Sequence, residues 1–304
     1  MIEKKVLWAI IGLTFCIVLA TIATLIACFL TYVPIEIRII YIIAPLIAGM
    51  FVGFACSFLL ISRREIYMYW IEISKNAKPD ISFLIIYFIC LISFIIYREP
   101  WTYTLGFTIP AILVYVLSRK YEPYTPLIYN IVYGFFMGFI IYYFVIFYSW
   151  LFTIEVTYAL LLTPYPQFYT IISNVFNFPI FITFLSILPF TTCEEMMFRR
   201  VLKVLVGFGL FETVFITQMI FVSLHALTRL NLPLVQYVHT LVCISIATVI
   251  IFYTYYSTGS IVASIIAHNT YNTLIFKSLP LSLSTIYMII IIIMYVIVRK
   301  YAIR

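Results

Sequence analysis

Residues 127–151 read LIYNIVYGFFMGFIIYYFVIFYSWL, twenty-five positions without one charged side chain. A helix needs about 20 apolar residues, at ~1.5 Å of rise each, to cross the hydrocarbon core of a bilayer. This run therefore predicts a transmembrane helix. Working outward, the same reading gives candidate spans at 8–33, 39–62, 81–97, 101–118, 127–151, 181–205, 210–228, 234–258, 259–277 and 283–298. The expected fold is all-α, a polytopic transmembrane helix bundle of about ten spans, in the range of roughly eight to ten. The first run follows Lys4 and Lys5 as a signal peptide would, but its 26 positions exceed a cleaved h-region of about 7–15, so it reads as an anchor.

Composition agrees. Hydrophobic residues make up 65% of the 304 and charged residues only 10%, with a mean hydropathy of +1.15. A soluble domain carries about 25% charged residues, so lipid must solvate much of this surface. A soluble enzyme, a nucleic-acid binder and a disordered chain are excluded. The net charge of +7 sits mostly in short basic clusters between apolar runs, the pattern of orientation signals rather than of a binding patch. With ten spans and an inner N-terminus, fourteen Lys and Arg fall inside and four (Arg38, Arg98, Arg229, Lys277) outside. That bias predicts both termini in the cytoplasm; it does not distinguish the cell membrane from the endoplasmic reticulum. Cys16, Cys28, Cys56, Cys90, Cys193 and Cys243 lie in or beside apolar runs without CxxC spacing, which argues for small buried hydrophobes.

Ionisable groups inside a span cost roughly 2.5–3.5 kcal/mol each on insertion scales, so each marks a functional candidate. Two acids stand out, in Pro189-Phe190-Thr191-Thr192-Cys193-Glu194-Glu195-Met196-Met197-Phe198-Arg199-Arg200, and all three histidines (His225, His239, His268) lie in apolar segments. Adjacent helical residues point about 100° apart, so Glu194 and Glu195 are expected to serve different points. Glu195 can pair with Arg199 four residues on, in the favourable order, leaving Glu194 for another helix. Thr192 and Glu195 also match a capping box, with Pro189 breaking the helix before it; in that alternative the acids merely start a helix.

Phe221 and His225 share a helix face, as do His268 and Asn272. Glu194 with His225 can hold and deprotonate a water, and His268 with Asn272 offers two donors for an oxyanion. Counted in residues, Glu194 lies nine from Lys203 and His268 nine from Gly259, whereas His225 lies sixteen from Gly209, which is too deep to match. His239, beside Tyr237 near a span end, reads as an interfacial residue.

Taken in order, Glu194-Glu195-x-x-x-Arg199, Phe221-x-x-x-His225 and His268-x-x-x-Asn272 resemble the motifs of the CPBP intramembrane proteases. These are CAAX proteases and bacteriocin-processing enzymes, including the type II CAAX prenyl endopeptidase. The resemblance implies a multi-pass peptidase with catalytic residues Glu194, His225, His268 and Asn272, supported by Glu195, Arg199 and Phe221. It implies a bilayer and a peptide or prenylated-protein substrate as partners, and no nucleic acid. No cofactor is required in this reading; the alternative is zinc held by Glu194, His225 and His268. The expected organisation is N-terminal transmembrane helices over 1–165, a catalytic helical core over 166–280, and a C-terminal helix with basic tail over 281–304. A transporter or proton relay, or a non-catalytic immunity or scaffold protein of the same family, stand as alternatives.

Overall fold

The structure, a computed structural model, describes residues 35–78, 81, 84–85, 108–118, 121, 125–151, 179–227, 229, 232–277 and 280–302. Every regular element among them is helical. In chain order they are α1 (Ile35–Leu59), α2 (Arg64–Asn76), α3 (Ile109–Ser118), α4 (Leu127–Leu151) and α5 (Ile180–Glu195). A π-helical turn (Met196–Arg200), α6 (Leu202–Leu205) and a 3-10 turn (Val206–Phe208) lead to α7 (Leu210–Leu227), α8 (Leu234–Thr258), α9 (Ile261–Phe276) and α10 (Leu281–Ala302).

Five helices among the described residues are long and apolar enough to span a membrane: Ile39–Leu59, Leu127–Leu151, Ile180–Phe208, Leu234–Thr258 and Leu281–Tyr301. The helical membrane bundle stands, but the count of eight to ten spans is not supported. Helices α3, α7 and α9 have 10, 18 and 16 residues, and even the longest of these rises only about 27 Å against a core of ~30 Å. The run at 8–33 and almost all of 81–97 lie outside the described residues. Between the spans expected at 39–62 and 81–97 lies α2, whose Ile66, Trp70 and Ile73 recur at helical spacing and are buried as one face.

Two glycine pairs set the closest helix approaches. A Cβ on Gly49 or Gly53 of α1 would lie 3.0 Å from the Met219 carbonyl or 2.9 Å from the Phe215 carbonyl of α7. On α4, a Cβ at Gly134 would lie 2.7 Å from the Ala263 carbonyl, and one at Gly138 would lie 2.6 Å from the Thr270 Cβ. Small residues four apart let backbones touch, the packing mode that works where lipid removes the hydrophobic drive between helices. Thus α7 and α9, which carry His225 and His268, are each seated on a glycine face of an N-terminal helix. Hydrogen bonds from Tyr41 to the Leu232 carbonyl (2.6 Å) and from Trp70 to the Tyr256 carbonyl (3.2 Å) join the same halves of the chain.

Helix α10 packs on α4 through Tyr143 against Ser284 and Thr285 (3.0 and 3.1 Å) and through Tyr295 stacked on Phe136. Its Ile289, Ile290, Ile292, Ile293, Val296 and Ile297 are exposed. An apolar stripe of that extent belongs against lipid tails.

Candidate active site

Helix α5 runs through Pro189, which lacks an amide hydrogen and so costs one rung of the ladder. The helix continues regardless, starting at Pro179 and reaching Glu195. Thr192 therefore caps nothing: its hydroxyl donates back to the Leu188 carbonyl at 2.7 Å, as a mid-helix threonine does. The capping-box reading falls with it. At Met196 the helix widens into a π turn, a local insertion that re-aims side chains and is frequent at functional sites.

The two acids diverge but meet the same imidazole from opposite sides. Glu195 Oε1 accepts from Nδ1 of His268 at 2.8 Å, while Glu194 Oε2 lies 3.7 Å from Nε2 of that ring. The expectation that adjacent carboxylates could not serve one point is corrected by the size of the partner: a histidine ring presents its two nitrogens on different edges. Glu194 Oε1 also lies 4.0 Å from Nε2 of His225. Two histidines from two helices thus flank one carboxylate.

Burial separates the roles. The side chains of Glu195 and Arg199 are 0% exposed, His268 6%, Glu194 19% and His225 24%. The open edge of the cluster is the Glu194–His225 side. Behind it, Arg199 Nε sits 3.6 Å from Glu195 Oε2, and its guanidinium carbon lies 3.9 Å above the Phe221 ring. Phe221 also lies 4.1 Å from the His225 ring centroid and edge-on to His268 at 6.2 Å. One aromatic plate therefore backs the guanidinium and both imidazoles. A buried ion pair left without its cation would cost about 3–5 kcal/mol.

Tautomers follow from the acceptors. His225 Nδ1 is 2.9 Å from the Phe221 carbonyl, and a carbonyl only accepts, so Nδ1 carries the hydrogen and the neutral ring presents the Nε2 lone pair towards Glu194. His268 donates Nδ1–H to Glu195, placing Nε2 on the open side. Asn272, one turn beyond His268, is half-buried, and no described residue hydrogen-bonds its amide.

The depth mismatch disappears with the right reference. Lys203 does not mark the membrane face: it is fully buried, and its ammonium donates to the Gly259 carbonyl at 2.8 Å and contacts Tyr69 Oη and the Tyr121 carbonyl. Glu194 and His268, each nine residues from that contact, are level. About the turn at Gly209, where φ is +130°, Glu194 lies fifteen residues before and His225 sixteen after. Arg200 is likewise buried, donating to the Ser118 hydroxyl and carbonyl at 2.7 and 2.8 Å. Arg199, Arg200 and Lys203 are thus cations packed inside the bundle. His239 is buried between helices, stacked on Tyr148 at 5.1 Å with Cys243 Sγ 3.8 Å away.

One polar residue escaped the sequence reading. Asn269, fully buried, donates to the Phe184 carbonyl (2.8 Å) and accepts from the Thr191 hydroxyl (3.1 Å), whose hydrogen has the Ile187 carbonyl as a second, longer partner at 3.3 Å. Its signal was a second amide in an apolar helix, directly beside His268.

Among the described residues no three His, Cys, Asp or Glu side chains are gathered as ligands for a metal ion. Glu194 lies 3.7 and 4.0 Å from the two imidazole nitrogens.

An apolar helical bundle with membrane-spanning helices defines an integral membrane protein, and the partly open Glu–His cluster is its candidate site. Residues 174–274 match the family model of Type II CAAX prenyl endopeptidase, Rce1-like. The match spans about a third of the chain and contains all three motifs, so this chain carries a domain of the CPBP/CAAX protease family. No curated protein and no solved structure matches the chain.

Proposed function

We propose that the protein is an intramembrane endopeptidase in which Glu194 and His225 activate the attacking water and His268 with Asn272 stabilises the oxyanion. The observation that carries this reading is Glu194 flanked by Nε2 of both histidines, at 3.7 and 4.0 Å. Those separations exceed a direct hydrogen bond yet let one water touch the carboxylate and the His225 lone pair together.

Glu194 takes a proton from that water as it attacks the scissile carbonyl carbon. The carbonyl π electrons move to oxygen, and the resulting oxyanion is met by the Asn272 amide and by Nε2–H of His268, which in this step is the imidazolium, its Nδ1–H held by Glu195. Glu194 then returns its proton to the leaving nitrogen, the amine departs, and the carboxylate product keeps the water oxygen. Glu195 holds the His268 ring by Nδ1, and Arg199 supplies the countercharge.

The substrate we infer is a membrane-associated polypeptide, with a prenylated CAAX-type tail as the specific form suggested by the matched family. The bilayer is the site's surroundings, and we place both termini in the cytoplasm. A comparison of membrane peptides from cells with the wild-type chain and with Glu194→Ala tests the reading. A cleaved product present only with the wild type supports it, and identical peptide sets sink it.

A relay reading draws on one observation, the succession Arg199, Glu195, His268, Glu194 and His225 at 2.8–4.0 Å, in which only the Glu195–His268 link is a direct hydrogen bond. Proton flux in proteoliposomes without peptide cleavage would favour it. A non-catalytic immunity or scaffold role would leave every substitution in the series silent in both assays.

A further inference from the structure

Asn269 neighbours His268 in sequence but faces helix α5. Its amide reaches two points on that helix, the Phe184 carbonyl and the Thr191 hydroxyl, which lie on either side of Pro189. Proline removes the amide hydrogen and crowds the carbonyl four residues earlier, so this is where α5 is least able to hold its own register. Thr191 stands three and four residues before Glu194 and Glu195, on the same helical face. A clasp at Thr191 therefore fixes where both carboxylates arrive, and its other end is anchored one residue from the imidazole they address.

We propose that Asn269 is a positioning residue that sets the alignment of Glu194 and Glu195 on the His268 ring through Thr191 and Phe184. The proposal rests on the peptidase reading for its functional consequence, though not for its geometry. Asn is the residue type the position requires. Its nitrogen end must donate to a carbonyl while its oxygen end accepts from a hydroxyl, so the amide can sit only one way round. Aspartate keeps the shape but sets a carboxylate oxygen against the Phe184 carbonyl, turning an attraction into a repulsion. The site is fully buried, so water does not relieve the loss.

The test uses the full chain in nanodiscs, with nitrogen-15 in its histidines only. There are three histidines, so the ring-nitrogen spectrum holds three pairs of signals. In folded Asn269→Ala or Asn269→Asp, the His268 Nδ1 signal is expected to move away from its hydrogen-bonded position, while the His239 pair stays unchanged. On a peptide the wild type cleaves, kcat per folded molecule should fall about 10–100-fold, the usual cost of losing a supporting contact, with KM within roughly twofold. Thr191→Val should reproduce the change in weaker form, Thr191→Ser should restore it, and Thr191→Val should add nothing to Asn269→Ala. If Asn269→Asp does not fold, the Thr191 pair decides. Unchanged His268 signals in folded Asn269→Ala, or kcat loss that merely tracks the folded fraction, overturns the proposal. Should the wild type cleave nothing while the His268 signal still moves, the clasp stands and only the peptidase reading falls.

Discussion

The ammonium of Lys203 lies 2.8 Å from the carbonyl oxygen of Gly259. Gly259 closes α8 in the left-handed conformation, with φ of +64°, so its carbonyl sits at a helix C-terminus where a cation is favourably placed. Tyr69, Trp70 and Tyr255 surround the same ammonium at 5.6–5.9 Å. From this one contact both Glu194 and His268 are nine residues away. It levels the two halves of the site without touching either.

Lys203→Met should therefore destabilise the protein by about 1–3 kcal/mol, the cost of leaving buried acceptors unmet. Thermal unfolding in detergent measures this, and a melting curve identical to wild type would contradict the account.

The neighbouring acids should respond differently to the same chemical change. Glu194→Gln keeps the shape of a partly exposed side chain and is expected to leave folding intact while abolishing turnover. Glu195→Gln removes the countercharge of fully buried Arg199 and should cost about 3–5 kcal/mol of stability. Parallel melting curves for the two variants provide the check; equal losses would mean the division between a chemical and a structural acid is wrong.

At Gly138 an added methyl would meet the Thr270 Cβ at 2.6 Å, with the Ala267 carbonyl 2.7 Å away. Gly138→Ala must push α4 from α9 and should cost about 1–3 kcal/mol. Gly49→Ala, whose nearest neighbours at 3.0 Å include the flexible Met219 side chain, should cost less. Quantifying the folded fraction against denaturant ranks the two, and the reverse order would argue against the close α4–α9 crossing.

The proposed activation of water by Glu194 and His225 calls for no metal ion. Cleavage should survive strong chelation, and active protein should carry clearly less than about one equivalent of zinc by elemental analysis. A stoichiometric metal that tracks activity would recast Glu194, His225 and His268 as ligands.

Much of this was legible in the chain because lipid simplifies the code. The runs at 127–151 and 234–258 match their helices end to end, since neither holds a break and each is flanked by proline or glycine. The three motifs were legible because charge and imidazole are rare in apolar helices. What escaped depends on neighbours. The short α7 and α9 are largely buried among other helices, so apolar runs there did not have to be full spans; α3, which exposes Ile112, Tyr115 and Val116, is simply too short at ten residues. Arg199, Arg200 and Lys203 look like surface charge until Glu195, ion-paired with Arg199, and the acceptors of Arg200 and Lys203 on Ser118 and Gly259 are seen. Asn269 differs from a filler residue only through Phe184 and Thr191, more than seventy positions earlier.

The most direct test is single-turnover cleavage by purified, reconstituted Glu194→Gln beside the wild type, with folding verified for both. The account predicts that the folded variant loses cleavage by at least about a thousandfold, as removal of a general base from a committed site does. Turnover within a few fold of wild type would mean that another group activates the water.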